Sequence, residues 1–286
     1  MAAITRDEIV AFHQRWWRPD NATVIVTGGM EPEAAFAWAE QVLGGWDRPS
    51  TPKPAVGARA GAPTGPRVVV VDMPGAGQAA VTAAVRAPRR ADETYYPLSV
   101  ANAVMGSGQN GRLFQEVRAK RGLSYGAYST LGARAEGGAL IASTQTKNES
   151  AAEVVGLVLA EFDRLAAEPV ADAEVTNRET FITGGFLRSL ETTGGLGGLL
   201  AGAVVDGLPL SEIETYPQKI AATTPESLRE AAGIVSAEDA IVVVVGQADM
   251  FIDDLRAAHP DVVVIPATEL DLNSPTLGMM QVRTAE

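Results

Sequence analysis

Residues Gly111 to Ser129 read GRLFQEVRAKRGLSYGAYS. From Arg112 to Arg121 the apolar spacing is helical, and the run ends in the cations Arg118, Lys120 and Arg121. Cations suit the negative end of a helix dipole. Glu116 and Lys120 stand at the i, i+4 spacing of a surface ion pair. Gly122 ends the helix, because glycine takes the left-handed C′ position without a Cβ penalty. Tyr125 to Ala133 then alternates, and Gly138 to Thr146 answers it as the second strand of a hairpin. On strict alternation Tyr125 shares a face with Ala127 and Ser129, and Tyr128 takes the other.

The pattern raises a chemical possibility at Arg118 and Tyr125. A tight turn can bring an arginine at a helix end and a tyrosine at the next strand head to one place. A fixed cation and a phenolic donor together stabilise an oxyanion. The plain alternative is an arginine serving the helix dipole and a tyrosine filling a strand.

Working outward, Arg67 to Met73 is a Val-rich strand, and Gln78 to Arg86 a second strand after a Pro-Gly turn. Tyr95 to Met105 is an apolar-faced helix, followed by a glycine loop to Gly111. Downstream lie helices over Ser150 to Ala167, Asp172 to Leu190, Gly194 to Val205, Ser211 to Ala221 and Pro225 to Gly233. A strand at Ala240 to Val245, a helix to Ala258 and a strand at Val262 to Ile265 close the region. Hairpin strands set apart from blocks of helices predict an α+β fold, with a mostly antiparallel or mixed sheet packed by helices.

Upstream, Thr5-Arg6-Asp7-Glu8 is a capping box. The helix it starts carries Ile9, Phe12, His13, Trp16 and Trp17 on one face, which predicts a packed His13, and Pro19 ends it. Thr23 to Thr27 is a β-branched strand before Gly28-Gly29, and Glu31-Pro32-Glu33 opens another helix. This unit is too small to bury both its faces. Its order of elements recurs near the end of the chain. ITRDEIVAFHQRWWRPDNATVIVTGGMEPEAAFAWAEQV parallels TTPESLREAAGIVSAEDAIVVVVGQADMFIDDLRA, as an internal repeat of closing elements. The predicted organisation is a closing unit of an incomplete first domain over 1–46 and a Pro/Gly-rich linker over 47–66. A complete α+β domain over 67–268 and an extended tail over 269–286 follow.

Composition narrows the chemistry. The chain has 286 residues, with 35 acidic against 23 basic side chains and a formal charge of −12. That balance argues against nucleic acid and anionic membrane surfaces as partners. No apolar run of about 18 residues exists to span a bilayer, and the N-terminus lacks the pattern of a signal peptide. The absence of cysteine excludes disulfides, thiolate metal sites and cysteine nucleophiles. The histidines, His13 and His259, have no ligand-spaced neighbours, so no metal site is expected in the chain. The Asn-x-Ser/Thr sequons at Asn21 and Asn148 carry no weight. Gly106-Ser107-Gly108-Gln109-Asn110-Gly111 matches G-x-G-x-x-G, but it follows a helix rather than a strand and holds no basic residue. It is better read as a loop whose glycines, Gly106, Gly108 and Gly111, let a peptide backbone approach.

GRLFQEVRAKRGLSYGAYS resembles the second-domain motif of the zinc peptidases that include pitrilysin, insulin-degrading enzyme and the mitochondrial processing peptidase. RWWRPDNATVIVTGGMEPEAA resembles the closing unit of that family's preceding domain. Gln78, after Met73-Pro74-Gly75, stands where the family has a glutamine. YPQKIAATTPESLREAA and the strand ending VVVVGQAD resemble its closing region. The resemblance runs from about Ile4 to Asp249. It implies a processing-peptidase-like metallohydrolase fold and a clam shell of two halves around a peptide. One half carries His-x-x-Glu-His and zinc. The other contributes an arginine and a tyrosine to the substrate carbonyl, and the Arg-x6-Tyr spacing assigns those roles to Arg118 and Tyr125.

This chain has no His-x-x-Glu-His. The resemblance therefore implies a non-zinc portion or subunit, inactive alone, whose zinc comes from a partner subunit or domain in a heterodimer or longer chain. The alternatives are a non-catalytic scaffold subunit and a peptide-binding module without turnover. The analogy with bacterial relatives exported to the envelope, and the lack of cysteine, favour the periplasm or cell envelope over the cytoplasm.

Overall fold

The structure is a computed structural model that describes residues 4–54, 67–274 and 277–278. Most of the expected linker, 55–66, and much of the tail lie outside the described residues. The chain divides into two compact units. The first comprises residues 1–60 and 185–215, the second 61–184 and 216–286. Residues 185–215, expected inside the 67–268 domain, thus group with the N-terminal segment.

The second unit is built on a six-stranded mixed sheet. Its strands are β1 (Val68–Asp72), β2 (Ala79–Ala87), β3 (Ser124–Arg134), β4 (Gly137–Thr146), β5 (Ile241–Gly246) and β6 (Val263–Pro266). They lie in the order β3-β4-β2-β5-β1-β6. The β3–β4 hairpin and the β2–β4 and β2–β5 pairs are antiparallel, whereas β1 runs parallel to both β5 and β6. The all-valine run Val68 to Val71 is buried throughout, as expected of a strand covered on both faces. In β2, Ala79, Val81, Ala83, Val85 and Ala87 are buried, while alternate residues are not.

The helices of this unit are α3 (Tyr95–Gly106), α4 (Ala151–Ala167), the first part of α5 (Asp172–Leu190), most of α7 (Glu212–Ala221), α8 (Pro225–Ala232) and α9 (Ile252–Ala258). Leu98 and Met105 of α3, Phe162 and Leu165 of α4, Leu228 of α8 and Leu255 of α9 join the strand valines in one core. The opposite face at the hairpin end is open. Tyr128 and Thr130 of β3, and Ile141, Ser143 and Gln145 of β4, are all exposed.

The turn before β2 is held from below. Buried Asn148 donates to the Ala76 carbonyl at 2.8 Å and accepts from the Gln247 amide at 3.0 Å. One N–H and the oxygen of its side-chain amide are thus engaged inside the fold. The described part of the tail folds back rather than extending, with the Asp271 amide donating to the Leu277 carbonyl at 3.2 Å.

The first unit contains α1 (Arg6–Trp16), α2 (Pro32–Leu43), α6 (Thr193–Val205) and the end of α5. The Thr5 capping box forms as expected, with both reciprocal bonds to Glu8 present. Arg18 is buried and donates to the carbonyls of Thr51 at 2.7 Å and Pro52 at 3.2 Å, and to Asp20 at 2.8 Å. It ties the start of the linker to the end of α1. Two expectations are corrected here. Thr23 to Thr27 forms no ladder with any described residue, because neither compact unit offers it a neighbouring strand. His13 is exposed rather than packed. It stacks on Trp17 at 5.9 Å, because nothing described covers that face of α1.

Candidate functional site

The helix that opens at Arg112 widens into a π-helical segment over Phe114–Ala119. The Lys120 amide bonds the Gln115 carbonyl, five residues back, at 3.0 Å. Such widened turns frequently mark functional sites. The segment ends as expected at Gly122, whose φ is +67°. The Gly122 amide donates to the Arg118 carbonyl and the Leu123 amide to the Val117 carbonyl, both at 3.0 Å. These two bonds fold the start of β3 back against the helix end.

The cations of this turn differ in their partners. Lys120 and Arg121 both pair with Glu116, Arg121 at 2.6 Å. Those hydrogen bonds, Lys120 first, hold the Glu116 carboxyl below its ordinary value. Arg118 is exposed, and its guanidinium has no hydrogen bond or ion pair among the described residues. The helix-end explanation therefore accounts for Lys120 and Arg121 and leaves Arg118 over.

Tyr125 is 92% exposed. Strict alternation misplaced it. The register shifts between Ser124, opposite Thr146, and Ala127, opposite Thr144. This bulge inserts an extra residue into β3, which re-aims side chains as bulges do. Ala127 and Ser129 are buried in consequence, and Tyr125 does not share their environment. Tyr128 packs its ring on Phe114 at 6.0 Å, over Gly126. A Cβ at Gly126 would meet the Tyr128 ring at 2.6 Å.

The glycine loop is held firmly by its neighbours. Gly106 and Gly111 are buried. A Cβ on Gly106 would lie 2.3 Å from the Ser129 amide nitrogen, and one on Gly111 2.9 Å from the Gly106 Cα. These two glycines let α3, β3 and the loop pack closely. Gly108 is exposed, with φ of +73° and open space where a Cβ would stand. Of the three, Gly108 is the exposed one.

Sequence reasoning did not single out Arg178. This residue of α5 is only 9% exposed and donates to the Asn110 carbonyl at 2.6 Å, with a longer 3.5 Å contact to the Ser107 carbonyl. Burial pulls its guanidinium below the ordinary value, and the Glu174 charge opposes that effect. Gln115 adds a bond to the Gln109 carbonyl at 2.8 Å. One signal was available: Val175, Arg178 and Ile182 share a buried helical face, so Arg178 is a charge in an apolar register. Arg178→Met is expected to cost about 1.5–3 kcal/mol, the scale of a hydrogen bond to a charged group. Chemical denaturation measures that loss, and faster proteolytic cleavage within residues 106–111 reports release of the loop.

Among the described residues no group of three or more His, Asp or Glu side chains is placed to hold a metal ion. No helix among the described residues is long and apolar enough to cross a membrane.

Residues 3–178 match the family model of the peptidase M16 inactive domain. An uncharacterised zinc protease of Mycobacterium tuberculosis is 30% identical over 195 residues, which is 67% of this chain and 44% of that protein. One from Streptomyces coelicolor is 27% identical over 236 residues, 80% of this chain and 51% of that protein. The chain thus spans about half the length of the curated relatives it matches. Among solved structures, a peptidase M16 inactive domain from Pseudomonas fluorescens superposes with a TM-score of 0.73 at 25% identity, covering 85% of this chain and 58% of that one. A protease from Helicobacter pylori gives a TM-score of 0.79 at 19% identity, over 86% and 59% of the two chains, a likeness of fold. With the α+β sheet, the glycine-stopped helix and the hairpin now joined to a family match over residues 3–178, this chain belongs to the peptidase M16 inactive-domain family.

Proposed function

We propose that this chain completes the peptide-binding and catalytic site of a zinc-dependent peptidase whose His-x-x-Glu-His and metal lie in a partner subunit or domain. The observation that carries this reading is the pair at the glycine turn. Arg118 is the cation left unpaired beside two neutralised ones, and Tyr125 stands exposed on a bulge. A bound peptide carbonyl beside them would meet a guanidinium and a phenolic O–H, both donors. The negative charge that develops on that oxygen during attack strengthens both interactions, so they favour the transition state over the ground state. The described residues do not fit a zinc site, so the chain's own part is to bind the peptide, orient its carbonyl and stabilise the oxyanion. The exposed Gly108 backbone and the open face of the β3–β4 hairpin offer further surface to an extended peptide.

The open hairpin face also supports a second reading, peptide binding without turnover. One experiment separates the two. Peptide cleavage is assayed with this chain, with a His-x-x-Glu-His partner, and with both, while calorimetry follows peptide binding. Cleavage that needs both components and zinc is the expected result. Robust zinc-dependent cleavage by this chain alone would sink the proposal. Binding with no cleavage in the assembled pair would select the second reading.

A further inference from the structure

Two polar side chains of the hairpin stand beside the arginine–tyrosine pair and make no bond within the fold. The bulge in β3 leaves Tyr125 and Gly126 together opposite a single residue of β4, Gln145. Burial alternates strictly along the end of β4 and past it. Thr144, Thr146 and Asn148 are buried, whereas Gln145 and Lys147 are exposed. Gln145 and Lys147 therefore share the open face. Residues directly across an antiparallel pair have Cβ atoms about 4.5–5.5 Å apart, and diagonal neighbours stand about 7–8 Å apart. Both side chains are thus within reach of a peptide held at Tyr125. Neither has a hydrogen bond or ion pair among the described residues. Ala80, which pairs with Gln145 from β2, and Ser143, the next open-face residue of β4, are small and leave space above the sheet.

Charge selects the occupant of that space. The strands β2, β3 and β4 contain no Asp or Glu, although 35 of the chain's 286 residues are acidic. Their charged residues are Arg86 and Arg134. At the Tyr125 end, Arg118 and Lys147 have no carboxylate partner among the described residues. Glu116 of the same turn is spent on Lys120 and Arg121. Glu136 stands in the turn at the opposite end of the hairpin. Glu149 follows on the short turn Asn148–Ser150, and no ion pair joins it to Lys147. The net charge of −12 opposes an anionic peptide at long range, but physiological salt screens charges more than about 8 Å apart, so the local cations decide. We propose that Gln145 and Lys147 form a subsite for a Glu or Asp side chain of the bound peptide, one or two residues from the carbonyl that Arg118 and Tyr125 hold. Lys147 supplies the charge, and the Gln145 amide donates an N–H to the same carboxylate. An extended peptide advances about 3.3 Å per residue, so the diagonal spacing from Tyr125 to Lys147 corresponds to about two residues. The inference rests on the reading that this turn binds peptide, and turnover does not enter it.

The test uses the full chain and three fluorescein-labelled octapeptides, identical and neutral except for Glu, Ala or Lys at one central position. Fluorescence anisotropy reads binding. The Glu peptide is expected to bind roughly two- to fivefold tighter than the Ala peptide, the range of an exposed ion pair, and the Lys peptide more weakly than either. Salt at about 1 M, where the screening length falls to about 3 Å, should level the three. Lys147→Glu should invert the order, and Gln145→Ala should narrow the preference. Arg118→Ala should weaken all three peptides and keep their order. Gln145 and Lys147 are exposed, so the melting temperature of both variants should match the wild type. Equal binding of the three peptides, no binding of any, an order that survives Lys147→Glu, or one abolished by Arg118→Ala would each overturn the proposal. An assembled peptidase that cleaves with no preference for the Glu peptide defeats this inference alone. A chain that prefers the Glu peptide, in a complex that does not cleave, defeats the catalytic reading alone.

Discussion

Tyr125→Phe is expected to lower kcat of the assembled peptidase about 10²–10³-fold, the loss seen when one oxyanion donor is removed, or about 2.7–4 kcal/mol of transition-state stabilisation. The change deletes a single hydroxyl from a side chain that is 92% exposed, so the melting temperature of the chain should not move. Arg118→Ala should act in the same range, because its guanidinium holds no structural bond among the described residues. Lys120→Ala is the control. It is also a cation of this turn, but its charge is spent on Glu116, so only the modest worth of an exposed ion pair is lost. KM should change little for Tyr125→Phe if the hydroxyl acts mainly on the developing charge, since interactions made only in the transition state appear in kcat. Steady-state kinetics with a synthetic peptide measures all three variants. Wild-type turnover by both Tyr125→Phe and Arg118→Ala, inside a complex shown to assemble, would return the pair to the plain roles of helix end and strand head.

What the sequence revealed, and what it hid, follows from the range of the interactions involved. The Thr5 capping box formed as read, because a cap is settled within a few residues. Gly122 ended its helix for the same reason. The Val-rich runs were legible as strands, but the parallel pairing of β1 with β5 and β6 joins residues more than 170 apart and leaves no local trace. Thr23 to Thr27 shows the converse. Its β-branched sequence is as strand-like as that of β5, yet a strand is defined by neighbours, and the described residues give it none.

At the candidate site, the direction of one side chain was misread. The Arg-x6-Tyr spacing picked out Arg118 and Tyr125, but simple alternation gave Tyr125 the wrong companions, because the bulge after Ser124 depends on pairing with β4. The π-helical widening before Arg118 was equally hidden, since helical propensity does not distinguish five-residue from four-residue closure. Arg178 was missed because its partners, Asn110 and Ser107, lie about seventy positions away and are backbone carbonyls, which carry no sequence signal.

Gly106 connects this site to the core, and its replacement makes the larger stability prediction. The residue closes α3 where that helix crosses β3, and a Cβ there would stand 2.3 Å from both the amide nitrogen and the hydroxyl of Ser129. The hydroxyl can rotate away, although it would give up its 2.7 Å bond to Asn102. The amide nitrogen cannot rotate away, because it belongs to the strand. Gly106→Ala must therefore push α3 and β3 apart, at or above the upper end of the ~1–3 kcal/mol typical of overpacking. A loss of about 3 kcal/mol in a unit of this size lowers the melting temperature by roughly 6–12 °C. The displacement falls on β3 only a few residues after Tyr125, so turnover of the assembled enzyme should fall as well. Gly108→Ala is the comparison. Its Cβ meets nothing, and only the left-handed backbone opposes it, so the cost should stay near the ~1–2 kcal/mol of that conformation. Calorimetric melting of the two variants decides the matter. A Gly106→Ala protein that melts with the wild type would show that α3 and β3 are not locked together at this point, and that the loop's first glycine is free for another role.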